Sequence, residues 1–406
     1  MKRLLALASC SVIVALGVGC TAEASSDVGR SSSPIINGVA SGPEDNSAVA
    51  VLNLPPAGGF NGACSGVLIS PKIVLTARHC VSQTQAGGVA CTKEGKSVSG
   101  GAVLKDYPAG DLAVLTGQKL NFSAFGTAPR GTKVITTGSR NLCNNDIALV
   151  ILNEAITDMP IAQLRLEAPP VKGDKILAVG WGVSNTSSDY VRRRRADIPI
   201  KQVGPFSSST SGAVGPNEFQ IGEGICSGDS GGPAYAMTTN AVLGVVSRGG
   251  NGYPVTDSDP QYASCVDKDG YATHNIYTRV DTYKDLILSA FAETGEEPWL
   301  EGNPDPRLKK FADPCGASDE CQSGICIEVG GKKTCSQTCD ATCPDGYKCV
   351  DAGGTKVCAP ASPTPAADSA TSSSGGCGVT SSQASSGAGV LFAALALVAT
   401  RRRRRL

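Results

Sequence analysis

The chain has 406 residues with 36 basic and 36 acidic side chains, so bulk charge offers nothing to a nucleic acid or to a strongly charged partner. Its 49 glycines, few aromatics and short β-rich apolar runs parted by Gly, Ser, Asn and Pro exclude a helical bundle and predict an all-β domain. Seventeen cysteines point to an oxidising compartment and to disulfides.

Residues 1–20 read as a signal peptide, with Lys2 and Arg3 ahead of an apolar run from Leu4 to Val18 that is short for a membrane span. Two cleavage readings stay open. Gly17-Val18-Gly19-Cys20 resembles a bacterial lipoprotein box that would acylate Cys20, although leucine is usual where Gly17 stands; ordinary secretory cleavage would fall near Ala22 or Ala24. Residues 21–34 are polar and Ser-rich and read as a propeptide.

Beyond Ile35 the apolar runs Val67-Leu68-Ile69 and Ile73-Val74-Leu75 lead into Thr76-Ala77-Arg78-His79-Cys80. His79 is one of only two histidines, the other being His274. Asp146 opens Asp146-Ile147-Ala148-Leu149-Val150-Ile151-Leu152, an acid at the mouth of a buried-type strand. Pro160, Pro169 and Pro170 mark an extended connection, and Arg192-Arg193-Arg194-Arg195 reads as a solvated surface loop open to proteolytic nicking. Next comes Gly224-Ile225-Cys226-Ser227-Gly228-Asp229-Ser230-Gly231-Gly232-Pro233, a serine in a tight glycine turn. There the N–H groups of Gly228 and Ser230 would converge on one small space, as an oxyanion requires. A serine hydroxyl is a weak nucleophile without a base and a group that orients the base. The chain order His, Asp, Ser is one of those in which such triads occur.

These pieces, with Ile35-Ile36-Asn37-Gly38, Cys64-Ser65-Gly66, Gly180-Trp181-Gly182 and Ile276-Tyr277-Thr278-Arg279-Val280, together resemble the trypsin-like, chymotrypsin-fold serine endopeptidases. The resemblance covers residues 35–297. It implies two six-stranded Greek-key β-barrels and a terminal helix over Asp281–Thr294 packed on the second barrel. It implies His79, Asp146 and Ser230 as catalytic residues, Gly228 and Ser230 as the oxyanion hole, polypeptide substrates, and no metal or organic cofactor. Cleavage before Ile35 would free an amine to pair with Asp229; Pro34 departs from the usual basic residue, so a separate activating protease is expected. Cys64–Cys80 is the bridge the family places beside the histidine; Cys91–Cys143 is what then remains of that half, and Cys226–Cys265 is assigned to the second. The primary pocket falls by resemblance at Gly224, with Ser247, Gly249 and Asn275 around it, and predicts cleavage after small or medium neutral residues. Two residues depart from the pattern: Arg78 before the histidine, read as a solvated charge, and Arg248 where an aromatic is common. His274 is assigned a structural role. The alternative is a catalytically inactive protease-like adhesion or binding protein, with substrate access spoiled by the two arginines.

Residues 298–313 read as a linker and 314–360 as a small disulfide-rich module whose eight cysteines allow on the order of a hundred pairings, or, in a second reading, a zinc site. The module would serve as a stalk or as a binding unit. Residues 361–376 form a second linker. Residues 377–406 hold Cys377, a polar spacer, a short apolar run and Arg401–Arg405, and resemble the C-terminal sorting tag of myxobacterial surface proteins. That resemblance implies a sorting enzyme acting at Cys377, a membrane association through a lipid anchor or short tail, and a place on the bacterial outer surface, with release possible.

Overall fold

The computed structural model describes residues 35–55, 62–182, 190–209, 212–254 and 261–361. Residues 1–34, expected as leader and propeptide and holding Cys20, and residues 362–406, expected as linker and sorting tag with Cys377, lie outside the described residues.

The first barrel uses β1 (Ala48–Asn53), β2 (Ala63–Ser70), β3 (Ile73–Thr76), β4 (Leu112–Leu115), β5 (Gly131–Thr136) and β6 (Ala148–Leu152), in the spatial order β5-β6-β3-β2-β1-β4. Its ends meet only through a bridge between Ala113 and Arg130, so this barrel is half-closed. The second uses β7 (Lys175–Gly180), β8 (Arg193–Val203), β9 (Glu218–Ile221), β10 (Pro233–Ala236), β11 (Ala241–Arg248) and β12 (Asn275–Arg279). Its order β8-β7-β10-β11-β12-β9 closes on itself because β9 also pairs with β8.

Strand alternation places the cores. In β1, Val49 and Val51 enter the first barrel's interior while Ala48, Ala50 and Leu52 face the seam between the barrels. In β6, Ala148, Val150 and Leu152 point inward and Leu149 joins the seam. Both faces are covered, which is why these strands read as unbroken apolar runs. The second barrel is filled by Ile176, Ile198, Ile200, Phe219, Leu243 and Tyr277, with Phe219 stacked on Tyr277 at 5.1 Å.

The terminal helix α1 (Lys284–Thr294) ends at Gly295, whose φ of 71° suits the left-handed position after a helix. It lies on β5 and β6 of the first barrel rather than on the second. The seam explains the correction: Ile287, Ala290 and Phe291 complete the apolar cluster between the barrels, and Lys133 pairs with Glu293 at 2.8 Å.

The arginine run is also corrected. It forms the start of β8, and Arg192 just before it is 0 % exposed. The Arg192 guanidinium donates to Ser41 Oγ (2.6 Å), Ala48 O (3.0 Å), Gly42 O (2.8 Å) and Asn46 Oδ1 (2.8 Å) and lies over the Trp181 ring. Arg194 pairs with Glu44 and Asp45, and Arg195 donates to Ile36 O at 2.9 Å.

Residues 298–313, expected as a linker, are tied down at both ends. Leu300 bridges Leu164 and Glu301 binds Arg165 through two hydrogen bonds (2.6 and 2.7 Å), while Lys309 bridges Cys321 in the module. The Trp299-Leu300 pair, apolar among the prolines, was the sequence signal for this docking. The module is two consecutive units of one design. Disulfides Cys315–Cys326 and Cys321–Cys335 are followed by Cys339–Cys349 and Cys343–Cys358, first to third and second to fourth in each. Each unit carries one hairpin, β13 (Cys326–Val329) with β14 (Lys332–Cys335), then β15 (Tyr347–Asp351) with β16 (Lys356–Pro360). All eight sulfurs are consumed, which leaves the zinc reading no thiolate in the module.

Candidate active site

His79 follows β3 within a single 3₁₀ turn, Arg78–Cys80, pinned by the Cys64–Cys80 disulfide. Asp146 precedes β6 in a segment held by Cys91–Cys143. Both therefore sit at one end of the first barrel. The Asp146 carboxylate, 1 % exposed, takes three donors: His79 N at 3.0 Å, His79 Nδ1 at 2.9 Å and Ser247 Oγ at 2.7 Å. Ser247 comes from β11, so the second barrel reaches across to support the acid. Burial works against a charged imidazole, but the adjacent Asp146 carboxylate and its hydrogen bond outweigh it and raise the His79 pKa. Burial likewise works against the carboxylate, and the imidazole, the Ser247 hydroxyl and the His79 N–H together hold Asp146 below its usual range.

Ser230 lies in the turn between β9 and β10, on the second barrel. It lines the same cavity as His79 and Asp146, a space of about 310 Å³. No hydrogen bond joins Ser230 to His79 among the described residues; such contacts commonly tighten only around a substrate. The turn is braced by Ser65, whose N–H donates to Ser230 O (2.8 Å), whose hydroxyl donates to Gly228 O (3.0 Å) and which accepts from Trp181 N (3.1 Å). Gly228 has φ 95°, and a Cβ there would fall 2.9 Å from Gly182 Cα, so glycine is required on both counts. Among the described residues no acceptor takes the N–H of Gly228 or of Ser230, which leaves two donors for an incoming oxygen.

Asp229, next to the serine, is 0 % exposed and accepts from Gly182 N (2.8 Å), Cys226 N (2.9 Å) and Ile35 N (3.2 Å). All three donors are neutral. Burial dominates, and the Asp229 pKa is raised to about 6. Ile35 itself has φ 51°, a costly conformation for a β-branched residue, and Ile35 and Ile36 are fully buried.

Ser247, Gly249 and Asn275 line the cavity; Gly224 does not. A Cβ on Gly224 would meet Ile198 Cδ1 at 2.9 Å, so Gly224 stands behind the wall, against the barrel core, and Ile225, Cys226 and Ser227 form the wall in its place. Asn275 donates to Gly222 O at 2.9 Å and lies so close to Gly249 that a Cβ there would be 1.9 Å from its Oδ1. This side chain narrows the cavity, and its lining holds no charge opposite a basic side chain of a substrate other than the engaged Asp146. Cys226–Cys265 closes the adjoining edge. His274 donates its backbone N–H to Gly250 O (2.9 Å) and lines a neighbouring cavity, away from Ser230.

Neither of the two irregular arginines is a loose charge. Arg78 is 3 % exposed, not solvated, and binds Asp106 at 2.6 Å. Arg248 is gripped by Glu218, a fully buried residue that sequence reasoning missed; nothing in Asn217-Glu218-Phe219 marks it beyond a carboxylate in an apolar strand. With each guanidinium paired to a carboxylate, the reading of spoiled substrate access is not favoured.

The Trypsin family model matches residues 35–287. Hypodermin-B of Hypoderma lineatum is 28 % identical over 209 residues, 48 % of this chain and 72 % of that protein. Human serine protease 1 is 31 % identical over 165 residues, 38 % of this chain and 58 % of that protein. Among solved structures, HL collagenase aligns with a TM-score of 0.44 at 21 % identity, covering 65 % of this chain and all of that one. The chain belongs to the Trypsin family of serine proteases.

Proposed function

We propose that this chain is a secreted serine endopeptidase that works through an acyl-enzyme. Ser230 Oγ attacks the scissile carbonyl carbon while His79 Nε2 takes the hydroxyl proton. The N–H groups of Gly228 and Ser230 hold the resulting oxyanion; loss of one such donor costs about 3–4 kcal/mol in comparable sites. The tetrahedral adduct collapses, the C–N bond breaks, and the His79 proton leaves with the amine. Water, deprotonated by His79, then cleaves the ester in the same way. Asp146 keeps Nδ1 protonated and stabilises the imidazolium. The observation that carries this reading is the 2.9 Å contact between Asp146 and His79 on a cavity also lined by Ser230. The narrowed pocket, whose one acidic group is engaged by His79 and Ser247, favours cleavage after small or medium neutral residues.

Activation belongs to the same reading. A new chain end at Ile35 would have no φ to strain, and its ammonium would give Asp229 the positive partner that three neutral N–H groups do not supply. Pro34 leaves that cut to a different protease. Acylation at Cys20 would anchor only the uncut chain, because the cut before Ile35 removes it; a sorting enzyme acting at Cys377 would keep the cut enzyme at the cell surface. The test is labelling of the protein cut before Ile35 with a fluorophosphonate, which bonds the activated serine oxygen and expels fluoride. Labelling of the wild type that disappears in Ser230→Ala is expected; an unlabelled wild type overturns the reading.

A further inference from the structure

Arg248 directly follows Ser247, the residue that donates to Asp146. It forms a ridge between the cavity that holds Ser230 and a second one of about 530 Å³. Its guanidinium, in a side chain 13 % exposed, meets Glu218 in two parallel bonds, Nη1 to Oε1 at 2.7 Å and Nη2 to Oε2 at 2.8 Å. Each Glu218 oxygen takes one further donor. Asn144 N donates to Oε1 at 2.9 Å and Gly215 N to Oε2 at 2.8 Å. This carboxylate is therefore saturated, and the two charges leave no net charge beside the site.

Asn144 is the important contact, because it stands two residues before Asp146. Its φ is 64°, and every anchor on it comes from beyond the first barrel: Glu218, the Asn217 N–H on its Oδ1 at 2.6 Å, and the Tyr283 hydroxyl on its carbonyl. Asp146 is thus fixed twice by the second half of the molecule, from behind through Glu218 and Asn144, and on its carboxylate through Ser247. Arg248 joins the two supports, since Nη1 also approaches Ser247 Oγ at 3.4 Å.

We propose that Glu218 is a positioning residue for the reaction, with Arg248 as its obligatory counter-charge. The pair rivets the turn that carries Asp146 to the second barrel and so sets the imidazole of His79 relative to Ser230. This inference rests on the protease reading. The other charged groups near His79 are Asp146 itself and the Arg78–Asp106 pair on the neighbouring residue, which the test leaves untouched.

The test uses Glu218→Gln, Arg248→Met and the double variant in the cut enzyme. It measures kcat and KM on a small ester that fills only the primary pocket, the pH profile of kcat/KM, and thermal unfolding. Glu218→Gln should lower kcat about 10–100-fold with little change in KM. The orphaned guanidinium should move the acid limb of the profile to lower pH, because it disfavours the imidazolium. Arg248→Met, which orphans the carboxylate, should move the limb to higher pH. The double variant, neutral again, should return the limb to its wild-type position and regain part of the lost kcat. Arg248→Lys keeps the charge but not the two-pronged contact; it should hold the limb in place while lowering kcat, and it keeps the question decidable if Glu218→Gln does not fold. Folded single variants with wild-type kcat, or limbs that move the same way in both, overturn the inference while leaving the protease reading intact. A wild type that hydrolyses nothing overturns both.

Discussion

Two aspartates flank the chemistry, and they meet the same problem with opposite results. Asp146 and Asp229 are almost wholly buried, and each accepts three hydrogen bonds. Burial pushes both pKa values up, yet Asp146 ends below the usual carboxylate range and Asp229 near 6. The difference is one positive charge. Asp146 faces an imidazole that can take a proton, whereas Asp229 faces only peptide N–H groups. Hydrogen bonds alone do not compensate a buried carboxylate here; a cation does. The first region has its partner in the intact chain, whereas the second would gain a cation if Ile35 became a chain end.

The strongest way to break that contrast is to make Asp146 neutral. Asp146→Asn keeps the shape but puts an amide NH2 donor where a carboxylate oxygen accepted from Nδ1, so His79 is no longer held with its proton on Nδ1. A fall in kcat/KM of about 10⁴ is expected, in line with triads of this kind. A loss of tenfold or less, measured on a peptide ester near neutral pH, would mean that Asp146 does not orient the base.

Next in size is the pH dependence of stability at Asp229. In the uncut chain its carboxyl titrates near 6 in place of the ordinary 3.8. Below 3.8 it is neutral whether the chain is folded or not, and the associated stability is fully present. As pH rises toward 6 the unfolded chain ionises first, and the folded state loses about 3 kcal/mol over that interval. The ammonium of a cut Ile35 should abolish the loss. Urea unfolding of Ser230→Ala protein, cut and uncut, at about pH 4 and about pH 8 measures both slopes. Asp45, raised to about 6 mainly by burial, contributes equally to the two forms, so their difference isolates Asp229. Equal slopes would show that the amine does not reach the carboxylate.

What could be read from the chain alone follows the physics of each element. Strands buried on both faces announce themselves as apolar runs, and β1, β3 and β6 do so because alternate side chains enter two different cores. The serine turn is legible because positive φ and close packing demand glycine at Gly228. Charged side chains that serve the interior carry no such signature. Arg192 is surrounded mainly by carbonyl oxygens of residues far off in the sequence, so its run looked like a solvated loop. Glu218 acquires meaning only through Asn144 and Arg248, which lie 74 residues before it and 30 after it. The family resemblance places Gly224 at the pocket, but a match of position along the chain does not say which way a Cα–Cβ bond points.

The arginine strand yields the smallest and most specific prediction. Ile35 and Ile36 are fully buried, and burial of two such side chains would contribute about 3–6 kcal/mol to docking a terminus freed at Ile35. The Arg195 bond to Ile36 O, together with weaker contacts from the same nitrogen to Glu223, adds about 1 kcal/mol. Glu223 in turn accepts from Asn37 Nδ2 and Asp267 N, so Arg195 ties the docked segment to the loop that leads to Ser230. Arg195→Ala should therefore lower kcat/KM of the cut enzyme about fivefold, the apolar burial still holding most of the segment in place. Arg194→Ala is the matched control. Its partners Glu44 and Asp45 lie beyond the buried isoleucines, so it should leave the kinetics of the cut enzyme unchanged. Equal losses in the two variants would reduce the role of the strand to general stability, while a loss confined to Arg195→Ala would show that the terminus is gripped at Ile36 as well as paired at Asp229.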